Sequence, residues 1–449
     1  MRYIPHTDQD IAAMLATLGV ESVDDLFVHL PEELQARAAV DLPAGMSESQ
    51  VRERLTALAR ANRVAPDTVT FLGGGAYPHF VPVVVDQIIQ RAEFATAYTP
   101  YQPEVSQGTL QSIFEFQSLV AALLGLEVAN ASMYDGASAT AEAVLMAKRI
   151  LPQRPTVLVA RSLHPQYRRV IQTYLDGLPG VHIVELPWGG DGRLDLTALD
   201  QHLDNTVNCV VVGYPNFFGV IEDGARVSAA AHRVGALAVT ATTEAVALGL
   251  LKAPGALGVD IAVAEGQSLG IPLSYGGPGL GLFACRERFL RNMPGRLVGE
   301  TVDHEGRQGF VLTLATREQH IRRERATSNI CTNHGLCALA TTVFLCLMGK
   351  QGLRELAERN VRKSHYARDL LVQTGAGRER FAAPFFNEFV LQVPDARAVW
   401  HRLKEQNLVA GLMLEDWYPE LKDCLVLCVT ELHTRAEIEK LAQGLGAGG

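Results

Sequence analysis

Lysine is scarce in this chain. Only seven of its 40 basic residues are lysine (Lys148, Lys252, Lys350, Lys363, Lys404, Lys422 and Lys440), so chemistry that needs an amine has few places to reside. Cysteine is sparse too. Its seven copies are scattered singly, with no CxxC pair, which excludes a zinc site and a disulfide framework and fits a reduced, cytoplasmic setting. Cys424 and Cys428 fall in an apolar run and are expected to pack as small hydrophobes. Dense basic runs are absent and the net charge is −9, which argues against nucleic acid as a partner. The N-terminus, MRYIPHTDQD, lacks the basic-then-apolar pattern of a signal segment. No apolar run reaches the ~18 residues of a spanning helix, so a soluble protein with no membrane partner is expected. No GxxxxGK[ST] occurs, and Gly73-Gly74-Gly75 does not fit a dinucleotide GxGxxG after a strand. His334 has no cysteine or histidine spaced for a metal and is expected to pack or cap a helix.

What is present is a chain of 449 residues, 48% apolar and 20% charged, long enough for two or three domains with cores of their own. Residues 1–65 read as a helical arm. Thr7 or Asp8 caps a helix running to Leu18 and ended by Gly19, and Ser22, with Asp25 three residues on, starts another. Pro31 lies early in a third run, and Ser47 starts a helix with Val51, Leu55, Leu58 and Ala59 on one face. So small and punctuated a segment is expected to pack on a neighbour. Residues 66–108 are turn-rich and read as a loop, whose length marks it as functional. A helix follows over 111–124, then a strand, a glycine-containing turn and a helix to Arg149, capped by Ser138 or Thr140. The free amides at its start form a possible phosphate site.

Strands and helices then alternate. Strands are expected at 156–161, 182–186, 208–216 and 236–242, with helices at 165–177, 196–203 and 225–234. Continuous apolar strands between helices predict a mostly parallel sheet covered on both faces, with ligands at the carboxyl ends of its strands. The charged run 317–325 is expected to be solvated or to face a partner. Ser328 or Asn329 is expected to cap a helix from Leu336 to Leu347. The domain expectation is an arm (1–65), a large α/β domain (66–330) and a smaller C-terminal α+β domain (331–449).

One stretch organises the large domain: DIAVAEGQSLGIPLSYGGPGLGLFACR, residues 260–286. An apolar strand enters a small-residue loop and a Gly-Gly-Pro-Gly turn, and a second apolar strand returns. In many pyridoxal-phosphate (PLP) enzymes such a loop carries the lysine that holds the cofactor. Here it reads Glu265-Gly266-Gln267-Ser268-Leu269-Gly270, without lysine. A PLP sheet also ends a neighbouring strand with an aspartate that pairs with the pyridine nitrogen. This chain has Thr240-Ala241-Thr242-Thr243 there, and its nearest acid is Glu244.

Several motifs together resemble the N-terminal (alpha) half of the glycine cleavage system P-proteins, the glycine dehydrogenases (decarboxylating) of split bacterial type. They are RYIPHTDQDIAAMLATLGVESVDDLF (2–27), YTPYQPEVSQG (98–108), MYDGASATAEA (133–143), GYPNFFGVIED (213–223), PLSYGGPGLG (272–281), ATSNICTNHG (326–335) and YPEL (418–421). The resemblance spans nearly the whole chain in order. It implies a fold-type-I PLP-dependent transferase architecture (aspartate-aminotransferase-like). It implies a complex of two alpha and two beta chains, with PLP on the beta chain and not covalently on this one. Gln267 then stands at the lost lysine position and Ser138 at a degenerate phosphate site. The implied reaction decarboxylates glycine and passes the aminomethyl group to the lipoyl arm of H-protein. Tyr98, Tyr101, Gln102 and Glu104 are the expected contributors to the shared site.

Two other readings compete. One is a scaffold that stabilises the beta chain and docks H-protein without entering the chemistry. The other is an autonomous PLP enzyme using Lys252, in GLLKAPG; the otherwise intact loop around Gln267 argues against it.

Overall fold

The structure is a computed structural model that describes residues 5–38, 40–63, 67–95, 102–328, 330 and 333–446. It divides into two compact units, Met1–Arg63 and Val64–Gly449.

The first unit holds helices Asp8–Leu18, Glu32–Ala38 and Glu48–Arg60 and a 3-10 turn Asp24–Phe27. Thr7 and Ser47 cap the first and last through full capping boxes with Asp10 and Gln50, and Gly19 ends the first at φ 73°. The Ser22–Asp25 pair forms too, with Ser22 N donating to Asp25 Oδ2 at 2.7 Å, but it closes only one turn. None of these elements has a buried residue.

The second unit is built on a seven-stranded sheet: β1 (Val128–Ala129), β2 (Thr156–Ala160), β3 (His182–Leu186), β4 (Val207–Gly213), β5 (Leu237–Thr242), β6 (Ile261–Glu265) and β7 (Gly281–Cys285). The spatial order is β1-β7-β6-β5-β4-β2-β3. The five strands from β6 to β3 are parallel, and β7 is antiparallel to both of its neighbours. Alternate residues enter different cores. Val157, Val159, Cys209, Val211, Val239, Ile261 and Val263 pack with helices Gly136–Ile150 and Pro165–Leu175. Leu158, Val210, Val212 and Ala238 face the helix Gly224–Arg233. Ala262, Ala264, Leu282 and Ala284 face Gln107–Leu124 and the first half of Gly335–Gln373. Burial on both faces explains why these strands are apolar throughout.

Three expectations are corrected here. The loop of 66–108 contains two short helices, Val83–Ile89 and Ala92–Ala95. The cap of the helix Gly136–Ile150 is Asp135, whose Oδ1 accepts from Ser138 N at 2.7 Å; Ser138 is the third residue and Thr140 donates back to Gly136 O. The charged run after Thr316 is broken into single turns, and Arg317 is half-buried, donating to the carbonyls of Met293, Gly295 and Leu314.

His334, and not Ser328, is the N-cap residue of Gly335–Gln373; Ser328 Oγ instead donates to Glu142 at 2.7 Å, and Asn329 lies outside the described residues. This helix is long and apolar enough by composition to cross a membrane, unlike the expectation from the sequence. Gly349, at φ 57°, breaks it; buried side chains as far as Ala357 join the core beside the sheet, and Ala367 and Leu371 join that of the small sheet. A hairpin, Leu297–Val302 with Gln308–Thr313, was not foreseen.

Toward the C-terminus an antiparallel sheet of Arg378–Glu379, Glu388–Gln392, Cys424–Cys428 and Leu412–Met413 is covered by Ala396–Glu405 and Arg435–Gly446. Val69–Thr70 pairs in parallel with Leu408–Val409, so the glycine run that follows starts beside this small sheet.

Candidate functional site

The carboxyl ends of β2, β5 and β6 lead to His164, to Thr243 and Glu244, and to Gln267. All four are buried. They converge on one short segment, Gly74–Phe80.

Gln267 is paired with the backbone of Tyr77. Its Oε1 accepts from Tyr77 N at 2.9 Å, and its Nε2 donates to Tyr77 O at 3.1 Å and to Ile271 O at 2.8 Å. The side chain thus uses both amide protons and its oxygen. Lysine has no acceptor for Tyr77 N, and glutamate has no donor for the two carbonyls. The Tyr77 hydroxyl lies 2.8 Å from Glu388 Oε2 and 3.1 Å from Thr243 Oγ1, and accepts from Gly75 N. Glu388 Oε1 accepts from Gly74 N at 2.7 Å. Burial pushes the Glu388 carboxyl up to about 7 and the Tyr77 phenol well above its usual range.

His79 bridges two acids, with Nε2 2.9 Å from Glu244 and Nδ1 2.7 Å from Glu431. Burial alone would lower its pKa; the two carboxylates overcome that and raise it to about 10. Both ring nitrogens then donate, as an imidazolium requires. Glu431 Oε1 also accepts from Phe80 N at 2.8 Å. His164 is the opposite case. Its Nε2 donates to Gly74 O at 2.7 Å and its Nδ1 accepts from Gln166 N, which defines one neutral tautomer, and burial lowers its pKa to about 4.

The first turn of Gly136–Ile150 is also occupied by the protein. Glu265 Oε2 accepts from Gly136 N at 2.8 Å, and Oε1 accepts from Leu280 N at 2.9 Å and Gln267 N at 3.0 Å. Burial pushes this carboxyl up to about 7 against those three donors. With Asp135 on Ser138 N, two acidic side chains stand where a helix start would receive a phosphate.

The fold family implies PLP, and the residues here do not fit it. Gln267 replaces the lysine and is fully engaged. Glu265 holds Gly136 N. No acid stands on β5 for the pyridine nitrogen: Thr240 Oγ1 is buried without a partner among the described residues, and Thr242 donates to Tyr214 O at 2.7 Å. Glu244, the nearest acid, is engaged with His79 and Asn387.

Two of the four loop candidates are placed elsewhere. Gln102 and Glu104 are exposed, in a turn where Gln102 O accepts from Val105 N and Ser106 N, and neither bonds to the Gln267 cluster. Tyr98 and Tyr101 lie outside the described residues. Gln107 ties this turn to the hairpin, donating to Pro103 O at 2.7 Å and Phe310 O at 2.9 Å and accepting from Phe310 N at 2.8 Å. Lys252 is exposed, before the turn Pro254–Leu257, and is not among the cluster's hydrogen-bond partners. Tyr77, His79, Glu388 and Glu431 were missed from sequence. The only signal was the glycine run beside them, because their partners lie hundreds of positions away.

Compared with known proteins, the sequence matches the family described as "Glycine cleavage system P-protein" over residues 1–445. The chain belongs to that family. The protein of Desulforamulus reducens called "Probable glycine dehydrogenase (decarboxylating) subunit 1" is 51% identical over 448 residues, covering 100% of both chains. A crystal structure of the P-protein glycine decarboxylase in inhibitor-bound form superposes with a TM-score of 0.91 at 45% identity, covering 100% of each chain. The C-DES enzyme, solved with glycine covalently linked to its PLP cofactor, is 18% identical with a TM-score of 0.62, covering 86% of this chain and 97% of that one. That distant likeness bears on fold alone: this P-protein family member has the fold-type-I architecture of PLP enzymes, with its mostly parallel sheet.

Proposed function

We propose that this chain is the cofactor-free half of a split glycine dehydrogenase (decarboxylating), active with a second subunit that carries PLP. The observation that carries the reading is the Gln267–Tyr77 pairing at the position of the missing lysine, in a chain that matches its relative over its full length. The electron sink that PLP supplies must then come from the partner. In the complete complex, two alpha and two beta chains working in the cytoplasm, glycine loses its carboxylate as carbon dioxide. The aminomethyl group then bonds to one sulfur of the H-protein lipoyl arm, whose disulfide is reduced. This chain's contribution is Tyr98, Tyr101, Gln102 and Glu104, which position glycine or handle protons at the shared site.

Borohydride reduction followed by mapping of the pyridoxyl peptide tests the proposal. Label is expected only on the partner, with decarboxylation requiring both chains; label on Lys252 or any other lysine here overturns it. A subunit that only scaffolds the complex would tolerate changes in the loop. Tyr101→Phe and Gln102→Ala are expected to cut turnover by roughly tenfold or more, as loss of positioning does, with assembly unchanged. Wild-type rates in both would remove the loop from the reaction.

A further inference from the structure

The cofactor pocket of a chain that has lost its lysine could persist as a hollow waiting for one. The geometry here differs. Gln267 is only 8% exposed, and every polar atom of its side chain is spent on backbone groups. The segment it holds is fixed on every side. Gly74 is held by Glu388 and His164, Tyr77 by Gln267, Thr243 and Glu388, His79 by Glu244 and Glu431, and Phe80 by Glu431. The anchoring side chains come from the ends of three parallel strands and from the small sheet, the edge at which this architecture gathers its ligands.

Space around the segment is closed as well. A Cβ at Gly73 would stand 2.2 Å from Glu388 Oε1, and one at Gly136 would stand 2.2 Å from the Tyr167 hydroxyl. Glu265, bonded to Gly136 N, Gln267 N and Leu280 N, joins the phosphate position to the lysine position through one carboxylate.

We infer that the ancestral cofactor pocket of this chain has been rebuilt as an internal anchor, with Gln267 locking the lysine position onto Tyr77 and Glu265 locking the phosphate position onto Gly136. The chain therefore excludes a pyridoxal phosphate even when an amine is returned to it. A lysine at 267 would leave Tyr77 N without an acceptor. The phosphate would find Gly136 N and Ser138 N already donating to Glu265 and Asp135. The inference is separate from the partner-borne cofactor proposed above, which needs only that the wild-type chain carry none.

The test uses the full chain in complex with its partner subunit. Gln267→Lys is incubated with PLP, reduced with borohydride and mapped by mass spectrometry. The expected result is no pyridoxyl label on this chain; stoichiometric label at position 267 overturns the inference and leaves the partner-borne cofactor standing. Label on the wild-type chain would sink both. Hydrogen exchange gives a second, independent readout. In Gln267→Glu, amides of residues 74–80 are expected to exchange roughly five- to a hundredfold faster, because a glutamate leaves two buried carbonyls unpaired. Unchanged exchange there means that Gln267 anchors nothing. If Gln267→Lys does not fold, the exchange result decides alone, with Tyr77→Phe as the milder variant that removes only the contacts to Glu388, Thr243 and Gly75.

Discussion

His79 shows how much one side chain carries in this fold. It is buried between Glu244 and Glu431, and its pKa is raised to about 10. For a histidine whose folded value exceeds its ordinary 6.5, the stabilisation is complete below that ordinary value and is lost as pH rises through about 10. His79→Gln leaves two buried carboxylates without their shared cation and should cost on the order of 3–5 kcal/mol at neutral pH. Thermal melts of wild type and variant from pH 6 to 10.5 check this; the gap should narrow toward the alkaline end, and a constant gap would mean that the ring is not held as an imidazolium. The residues of this network were the least legible in the sequence. His79 and Glu431 stand 352 positions apart, and Tyr77 and Glu388 stand 311 apart. No local periodicity encodes a pairing at that separation. Gln267 was legible as an absence, since a missing lysine shows in a loop of known shape, but what the amide does instead required Tyr77 to be in view.

At the scale of elements, strands were easier than caps. The apolar runs of β2, β4, β5 and β6 announce themselves because each strand is buried on both faces. The hairpin Leu297–Val302 with Gln308–Thr313 is mostly half-exposed or exposed and mixed in composition, so it offered no comparable run. Asp135 and Ser138 are both of residue types that cap well and lie three apart, so the sequence alone does not choose between them. Glycines mark two joints of different kinds. Gly219 has φ +77°, and a Cβ there would come within 2.0 Å of Glu388 O; Gly349, at φ +57°, has nothing within 4 Å. Gly349→Ala should therefore cost only the penalty of a backbone conformation (φ 57°, ψ −176°) that is essentially confined to glycine, about 1–3 kcal/mol, whereas Gly219→Ala adds a clash with backbone and should cost clearly more than that. Denaturant titration of both variants orders them, and equal costs would mean that the small sheet yields at Glu388 without penalty.

At the scale of the whole molecule, the two units differ in what holds them. The unit Val64–Gly449 owns every core cluster, while the helices of Met1–Arg63 bury no residue. Helices of 7 to 13 residues without a buried side chain are marginal in water. Residues 1–63 made alone should show largely unfolded circular dichroism; a cooperative melt of the fragment would refute this. The helices Asp8–Leu18 and Glu48–Arg60 were legible because their caps are local, and the strands of the sheet because they are apolar. The sequence could not foretell that the glycine run after Val69–Thr70 would begin beside the small sheet, since that pairing joins segments more than 300 residues apart.

The locked pocket also bears on how the protein matures in a cell. A group that binds only the folded state stabilises it, and a chain that depends on such a group is weaker until it arrives. With Gln267, Glu265 and Tyr77 holding that pocket from within the chain, folding of this subunit should proceed at the same pace in vitamin B6-starved cells as in replete ones.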